Sequence, residues 1–509
     1  MKKYLFLFGL MGILLLPTII LPTSTMQAQS LETFEEKVTE FTLDNGLHFI
    51  IIERPVAPVA SFVTFANVGG VDEPMGNSGI SHIFEHMVFK GTKTIGTTDY
   101  EKEIAAIEKQ DEYYRLWLEE SYKPNPDEAL LEEYWNQFRS YQAEAKQYVV
   151  SNEFTQIIEQ NGGSGLNAFT SSDATGYFYS LPENRAELWF SLESDRFRNP
   201  VFREFYEEKD VIYEERRMRT DSNPFGRLLE EFVAVAYSAH PYGNPVVGWP
   251  SDIEATTIQD TERFFKTFYS PSNLTIAIAG DVDPDEMRQL ADTYFGSIPK
   301  GPDPPKLYVK EPEQRGERRF IIREQSQPVF IAGYHTVGMG HEDYAPLQLL
   351  GSIISDGRTS RLYRRMVEEE QSVLAVQAVN GFPGERYPSL FVTFAVPNQG
   401  VSMEDIEATI EEEIQKVKDG DITQEELDRV LTNARANQIR GLNSNFGLAL
   451  GFAQSHAQSG SWKDAFTSIQ KLEAVTLEDL QRVANQYLIK KNRTVGIIMN
   501  EETTVADAE

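Results

Sequence analysis

A proline-rich break divides this chain into two stretches in which predicted elements follow in the same order. The segment Ile298–Pro305 contains four prolines, and proline continues neither a helix nor a central strand because it lacks a backbone N–H. On each side a strand, a glycine-containing turn and a helix follow one another. The 509 residues are 41% hydrophobic, which is enough apolar material for more than one core. The pattern predicts two similar α+β halves.

Strands and helices can be predicted in both halves. In the first half, strands flank a tight turn at Asp44–Gly46, and a strand at 61–68 precedes a helix at about 78–89. In the second half, a strand at 328–335 precedes a helix at 343–355. We therefore predict domains at 38–298 and 317–509, joined by a linker at 299–316.

A charged segment at about 100–160 interrupts the first half. Tyr113 and Trp117 are four residues apart, as are Tyr134 and Phe138, and residues with that spacing share one face of a helix. We predict an inserted antiparallel helical hairpin that closes on an aromatic stripe. Its role is either structural or that of an arm that docks a partner.

The N-terminus has the pattern of a secretory signal. Lys2 and Lys3 precede an apolar run at 4–21, and small and polar residues follow up to Ala28. We predict a signal peptide at 1–28 and an exported protein, periplasmic or secreted. The run is long enough that an uncleaved membrane anchor is the alternative.

Composition excludes several classes of function. The chain has 78 acidic and 47 basic residues, a net charge of −31, which argues against nucleic acid as a partner. It has no cysteine, which excludes disulfides, thiolate nucleophiles and iron–sulfur clusters. No segment after the signal approaches the ~20 apolar residues that cross a bilayer. We expect no stable membrane insertion once the signal is cleaved.

The sequence His82-Ile-Phe-Glu85-His86 is the strongest chemical signal. On a helix, His82 and His86 project from one face, as two nitrogen ligands of one Zn²⁺ must. Glu85 lies on that face, where a carboxylate can activate a water beside the metal. The motif alone leaves open that both histidines are ordinary half-buried residues. Asn77 or Ser78 is the expected cap of this helix.

The predicted helix at 204–220 supplies a third ligand. At 100° per residue, Glu208 and Glu215 fall within about 20° of each other, on a stripe shared with Val211 and Ile212. A carboxylate among apolar residues is costly unless it is paired or bound to metal. We interpret Glu215 as the third ligand and Glu208 as a supporting catalytic residue. Glu207 and Glu214 lie about 100° round the helix from Glu208 and Glu215, on a flank that we expect to face solvent.

These segments together resemble the pitrilysin/insulinase family of zinc metallopeptidases, the inverzincins, and in particular the mitochondrial processing peptidase β-subunit and bacterial two-domain relatives. The matching segments are Leu43–Gly46, His82–Thr92, Gly165–Ser171, Glu208–Glu215, His240–Gly243 and Gly248–Trp249. The resemblance implies an α+β fold in which each half is a mostly antiparallel sheet with helices packed on one face. The segment between His86 and Glu215 is longer than is usual in the family, and the predicted hairpin accounts for the excess.

The resemblance also assigns roles. It implies one Zn²⁺ per chain, held by His82, His86 and Glu215, with Glu85 as general base. It places Asn167, Ala168 and Phe169 on a strand edge that pairs with the backbone of a peptide substrate. The predicted activity is that of a zinc metalloendopeptidase acting on peptides or unfolded protein segments. The alternatives are a catalytically inactive subunit that binds peptides or scaffolds a partner, and a zinc enzyme of another reaction class.

One expected pair of residues is missing from the second half. Active members of the family carry an Arg and a following Tyr that stabilise the oxyanion at the zinc site. Here Val367 and Val376 stand at those positions, and the neighbouring Tyr363, Arg364 and Arg365 are out of register. We therefore expect a heterodimer in which a related chain supplies the Arg/Tyr pair.

Overall fold

The computed structural model describes residues 34–500, so the predicted signal peptide at 1–28 lies outside the described residues. The strands are β1 Val38–Thr42, β2 His48–Glu53, β3 Val59–Ala66, β4 Ser164–Thr170, β5 Thr175–Pro182, β6 Leu274–Gly280, β7 Arg318–Arg323, β8 Val329–His335, β9 Val373–Phe382, β10 Leu390–Pro397 and β11 Arg493–Met499. The helices of the first half are α1 Ile80–Met87, α2 Tyr100–Ser121, α3 Glu128–Lys146, α4 Glu153–Gln160, α5 Ala186–Arg198, α6 Phe205–Arg216, α7 Pro224–Ala236, α8 Pro250–Ala255, α9 Ile258–Phe268 and α10 Pro284–Phe295. Those of the second half are α11 Tyr344–Ser355, α12 Met403–Lys418, α13 Gln424–Gly441, α14 Asn445–Ser459, α15 Asp464–Glu473 and α16 Leu477–Tyr487.

Each half is built on one sheet, and the two sheets share a topology. The first has the order β1-β2-β6-β3-β5-β4 and the second β7-β11-β8-β10-β9. In each sheet one neighbouring pair is parallel, β2 with β6 and β7 with β11, and the other pairs are antiparallel. The predicted pair of mostly antiparallel α+β halves is confirmed. The domain boundaries at 298 and 317 stay a prediction.

The side chains of the central strands alternate between two cores. On β2, Phe49 and Ile51 pack against helices of the first half, whereas Ile50 and Ile52 pack against α14 of the second half. The second sheet repeats this arrangement, because its own helices cover one face and α7 of the first half covers the other. Each half therefore contributes a helix to the core of the other. No pattern in the sequence predicts this exchange, since an apolar run does not indicate which helix will cover it.

The predicted helical hairpin is present as α2 and α3. Tyr113 stacks on Tyr141 with ring centroids 5.7 Å apart, and Trp117 lies 5.1 Å from Trp135, so the aromatic stripe closes the pair as expected. The hairpin also contacts α6, where Tyr206 donates a 2.6 Å hydrogen bond to Asp111. It thus packs on the helix that carries Glu215.

Two predicted elements differ in detail. The segment 166–180 is rich in Thr, Phe and Tyr, which predicts a single strand. It forms two antiparallel strands, β4 and β5, because the chain reverses at Ser171, whose N–H donates to the Ala174 carbonyl at 2.8 Å. The helix expected at 204–220 is α6 followed by a π-helical turn over Arg217–Asp221. Within residues 34–500, no helix is long and apolar enough to cross a bilayer.

Candidate metal site

The helix α1 begins where two glycines meet. Gly79 has φ +87°, and a Cβ there would lie 2.8 Å from the Cα of Gly248, which itself has φ +91°. Only glycine combines this left-handed backbone with so close an approach. The contact brings the start of α1 against the loop before α8 and fixes where the motif helix enters the core.

The first turn of α1 is capped by a distant carboxylate. Glu73 accepts the backbone N–H of Gly79 at 2.7 Å and of Ser81 at 2.9 Å. Burial raises the pKa of Glu73 to about 8, while these two hydrogen bonds act in the opposite direction. The expected cap by Asn77 or Ser78 is wrong, since Ser78 instead donates to Asp252 at 2.7 Å.

His82, His86 and Glu215 converge at one point. Their ligand atoms all lie within 4.8 Å of one another. The carboxylate Oε2 of Glu215 is 3.6 Å from Nε2 of His82 and 3.7 Å from Nε2 of His86. Tetrahedral zinc with bonds of about 2.0–2.1 Å separates its ligand atoms by about 3.3 Å, so the observed spacing fits a zinc ion after shifts of a few tenths of an ångström.

The pKa values of the two histidines are shifted in opposite directions, and both imidazoles can bind a metal ion. Burial lowers the pKa of His82 to about 3, so His82 is neutral at pH 7, as a ligand must be. Its Nδ1 is buried without a hydrogen-bond partner among residues 34–500. Burial opposes protonation of His86, but the hydrogen bond and charge of Glu208 outweigh it and raise the pKa of His86. A divalent ion at Nε2 would displace that proton.

Glu208 orients His86. Its Oε2 lies 3.2 Å from Nδ1 of His86, so Nδ1–H can donate to the carboxylate while Nε2 faces Glu215. This is the carboxylate–histidine pairing that fixes the tautomer of a metal ligand. Lys90 contacts the other oxygen of Glu208 at 2.5 Å and Glu204 at 3.1 Å. Burial opposes ionisation of Glu208, but His86 and Lys90 outweigh it and lower its pKa.

Glu85 lies on the same face of α1 and is half-buried. Thr170, the last residue of β4, donates a 2.5 Å hydrogen bond to its Oε2. Burial raises the pKa of Glu85, and the bond from Thr170 and the proximity of His86 oppose that effect. A carboxylate with a raised pKa and one fixed oxygen is suited to accept and return a proton.

The exposures of Glu214 and Glu215 agree with the predicted register of α6, whereas Glu207, which was expected on the solvated flank, is half-buried. The side chain of Glu215 is 16% exposed and that of Glu214 is 60% exposed. Arg219 contacts Oε1 of Glu215 at 2.7 Å, which leaves Oε2 directed at the histidines. Ile212 is buried as expected, but Val211 is 47% exposed, because it sits at the rim of the stripe rather than within it.

Asn167, Ala168 and Phe169 lie on β4, which ends the first sheet and borders α1. Asn167 is exposed, and Ala168 and Phe169 are half-buried. Among the described strands, β5 is the only partner of β4. The outer edge of β4 therefore has no strand partner among the described residues, and the N–H of Ala168 donates instead to Oδ1 of Asn167 at 2.9 Å. A strand can be added at this edge, beside Glu85, if it replaces that local hydrogen bond.

The second half brings no Arg/Tyr pair to the surface at the expected positions. Val376 on β9 is 8% exposed, and Val367 packs against the same core. Arg365 is held by Glu412 and Glu413 at 2.6 and 2.9 Å, so its guanidinium is engaged within the second half. Neither valine offers a hydrogen-bond donor.

Four supporting residues were missed in the sequence. Lys90 follows His86 by four positions and Arg219 follows Glu215 by four, so helical spacing was a usable signal for both. Thr170 contacts Glu85 across 85 positions of the chain, and Glu73 reaches α1 through an irregular loop. No local pattern identifies these last two contacts.

Comparison with protein families gives two adjoining matches. Residues 48–113 and 143–249 match the family described as insulinase (peptidase family M16), and residues 255–434 match the peptidase M16 inactive domain. The interruption at 114–142 falls within the α2–α3 hairpin.

Full-length relatives carry zinc protease names. The chain is 28% identical to zinc protease PqqE of Helicobacter pylori, over 94% of this chain and 96% of the relative. It is 21% identical to the uncharacterized zinc protease YmxG of Bacillus subtilis, over 88% and 95%.

Solved structures extend the likeness to the fold. A crystal structure of a protease from Helicobacter pylori superposes with a TM-score of 0.75 at 26% identity, over 91% of this chain and 99% of that one. The periplasmic protease PqqL of Escherichia coli gives 0.67 at 18% identity, over 92% of this chain and 48% of that one. The present chain thus corresponds to half of PqqL.

Proposed function

Because the chain belongs to the insulinase family of peptidases, family M16, we propose that it is a zinc-dependent metalloendopeptidase. The observation that carries the proposal is the convergence of His82, His86 and Glu215, with Glu85 on the same helix face. Two imidazoles and one carboxylate leave a fourth tetrahedral position open, which is the arrangement of catalytic rather than structural zinc sites.

Each residue has a role in the proposed reaction. When bound, zinc supplies a Lewis acid that lowers the pKa of a water and polarises the scissile carbonyl. Glu85 accepts the proton of the attacking water and returns it to the leaving amine. Thr170 holds one oxygen of Glu85, so the other oxygen faces the water. Glu208 accepts Nδ1–H of His86 and so directs Nε2 of that ring toward the ion.

The substrate is an extended peptide that adds a strand to β4. Its backbone pairs with the outer edge at Asn167–Phe169, and its scissile bond then lies beside Glu85. Strand addition requires an unfolded segment, since a folded protein has no free backbone to offer. We therefore propose that the substrates are peptides or unfolded protein segments.

The test is cleavage of a quenched fluorescent peptide by the purified chain, alone and with a candidate partner, with and without a chelator. We expect cleavage that the chelator abolishes and that added zinc restores. Cleavage that survives chelation would refute zinc chemistry. Absence of chelator-sensitive cleavage in every combination would favour an inactive peptide-binding subunit.

We also propose a heterodimer with a related chain. The half-buried Val367 and the buried Val376 provide no oxyanion donor. PqqL is about twice as long as the aligned segment, so two chains of this kind match one PqqL in size. The partner would lack the zinc motif and carry the Arg/Tyr pair. Full activity from this chain purified alone, as monomer or homodimer, would refute the heterodimer and leave the zinc site untouched.

Finally, we propose that the chain is exported and cleaved near Ala28. The supporting observations are the basic and apolar N-terminus and the periplasmic location named for PqqL. N-terminal sequencing of the protein from its native cells should begin near residue 29. Protein that begins at Met1 in the membrane fraction would show an uncleaved anchor instead.

A further inference from the structure

A second cluster of metal-ligating side chains lies where the two halves meet. Glu40 on β1 and His48 on β2 belong to the first half, whereas His456 lies on α14 of the second half. One ligand atom from each lies within 4.8 Å of the other two. None of these residues has a role in the proposed peptidase reaction.

The two imidazoles have nitrogens without partners. Nδ1 of His48 is 2.9 Å from the hydroxyl of Thr42, but Nε2 of His48 is buried and forms no hydrogen bond within residues 34–500. In the same part of the chain, Nδ1 of His456 is also buried without a partner. A buried polar atom left unpaired destabilises the folded chain, so two of them at one contact indicate a missing ligand.

Ring packing alone does not account for this contact. The rings of His48 and His456 stack with centroids 3.7 Å apart and planes 3° from parallel. An aromatic or aliphatic pair would stack without leaving nitrogens unpaired. Glu40 adds a carboxylate whose Oε2 is 3.5 Å from Nε2 of His48, which is too far for a good hydrogen bond and close to the spacing of two ligands on one metal ion.

We propose that His48, His456 and Glu40 bind a second divalent ion of the zinc class, which joins β2 to α14. Two imidazoles and one carboxylate are a zinc donor set. Thr42 can accept Nδ1–H of His48, which leaves the lone pair of Nε2 for the metal. The lone pair lies in the plane of each ring, so binding turns His456 out of the parallel stack. Water completes the coordination at the exposed side of Glu40.

The ion has a structural role in this proposal. His456 lies on α14, which covers the face of the first sheet opposite its own helices. The ion would therefore crosslink the two halves at the core that they share. An ion that binds the folded chain alone stabilises it by mass action. Zinc should therefore raise the unfolding temperature even when the site at His82 is disabled.

The test uses the full chain carrying His82→Gln and His86→Gln, which removes the first site. We expect one zinc per chain in this background and an unfolding temperature that rises with added zinc. Adding His456→Gln should abolish both effects. His341→Gln, at an exposed histidine outside both clusters, is the matched control and should change neither.

Glu40→Gln keeps the test decisive if His456→Gln does not fold, because Glu40 is on the surface. In the same background it should weaken zinc binding at least about tenfold, with Glu36→Gln as its exposed control. A background protein that binds no zinc would overturn the proposal, as would equal zinc binding in the Glu40, His456 and control variants. None of these results depends on peptidase activity.

Discussion

The first and second halves place a helix in the same position but fill it with different side chains. In both halves this helix follows a central strand, α1 after β3 and α11 after β8. Helix α1 carries His82, Glu85 and His86. Helix α11 instead buries aliphatic side chains, Leu347, Leu350, Ile353 and Ile354.

The edge strands of the halves differ in the same way. Thr170 at the end of β4 donates to Glu85, whereas β9, the corresponding edge of the second sheet, packs on α11. The shared topology therefore provides the geometry of a site twice, and only one copy has the donors to use it. The fold positions the site, and a few side chains decide whether it has chemistry.

The largest effect should come from Glu85→Gln. Because the general base is lost while the ligands remain, we expect kcat for peptide cleavage to fall by about 10²–10⁴-fold with zinc content unchanged. Glu342→Gln, just before α11 and exposed, is the matched change in the second half and should leave kcat unaltered. Loss of zinc from the Glu85 variant would identify Glu85 as a ligand and contradict its assigned role.

Glu215→Gln tests the third ligand. Loss of a carboxylate that only supports a ligand already costs about 10–100-fold in metal affinity. Loss of a ligand itself should therefore lower the affinity for zinc at the first site by at least about 100-fold, as measured by competition with a chelator. The neighbouring Glu214 is exposed, so Glu214→Gln should have little effect. Equal losses in the two variants would mean that Glu215 is not the ligand.

Leu350→Ala tests whether α11 contributes to the packing of the second half and not to the metal site. Leu350 is fully buried, so truncation should reduce the free energy of unfolding by about 2–5 kcal/mol, measured by denaturant titration. The zinc content of the folded variant should equal that of the wild type. A change in zinc content without a change in stability would give the second half a direct part in the site.

Glu208→Gln should reduce the affinity for zinc less than Glu215→Gln does. Glu208 holds His86 without facing the metal, and such supporting carboxylates contribute about 10–100-fold to affinity. We expect a loss of zinc affinity in that range. Glu207→Gln, one position round the helix, should leave affinity nearly unchanged, and an affinity loss there equal to that of Glu208→Gln would contradict the pairing with His86.

The elements whose side chains repeat with clear helical spacing could be predicted from the sequence. The H-x-x-E-H helix, the aromatic hairpin and the inward placement of Glu208 and Glu215 all depend on helical spacing, which is local. The turn at Asp44–Gly46 was predicted from its residue types, and the φ of +94° at Gly46 is a conformation that glycine adopts without strain.

Contacts that join distant segments could not be predicted. The cap of α1 by Glu73, the bond from Thr170 to Glu85 and the packing of α14 on the first sheet depend on tertiary arrangement alone. The stacked pair of His48 and His456 is of the same kind, since 407 positions separate them in the chain. Local spacing therefore predicted the candidate ligands, and only the structure showed which residues contact them.

The most direct measurement is a zinc-edge anomalous difference map from crystals of the full chain grown with zinc. We predict a zinc peak at about 2.0–2.1 Å from Nε2 of His82, from Nε2 of His86 and from a carboxylate oxygen of Glu215. Glu85 should lie outside bonding distance of that peak. No zinc peak should lie beside α11. The absence of a peak at the three ligands, or a peak bonded to Glu85 in place of Glu215, would contradict this prediction.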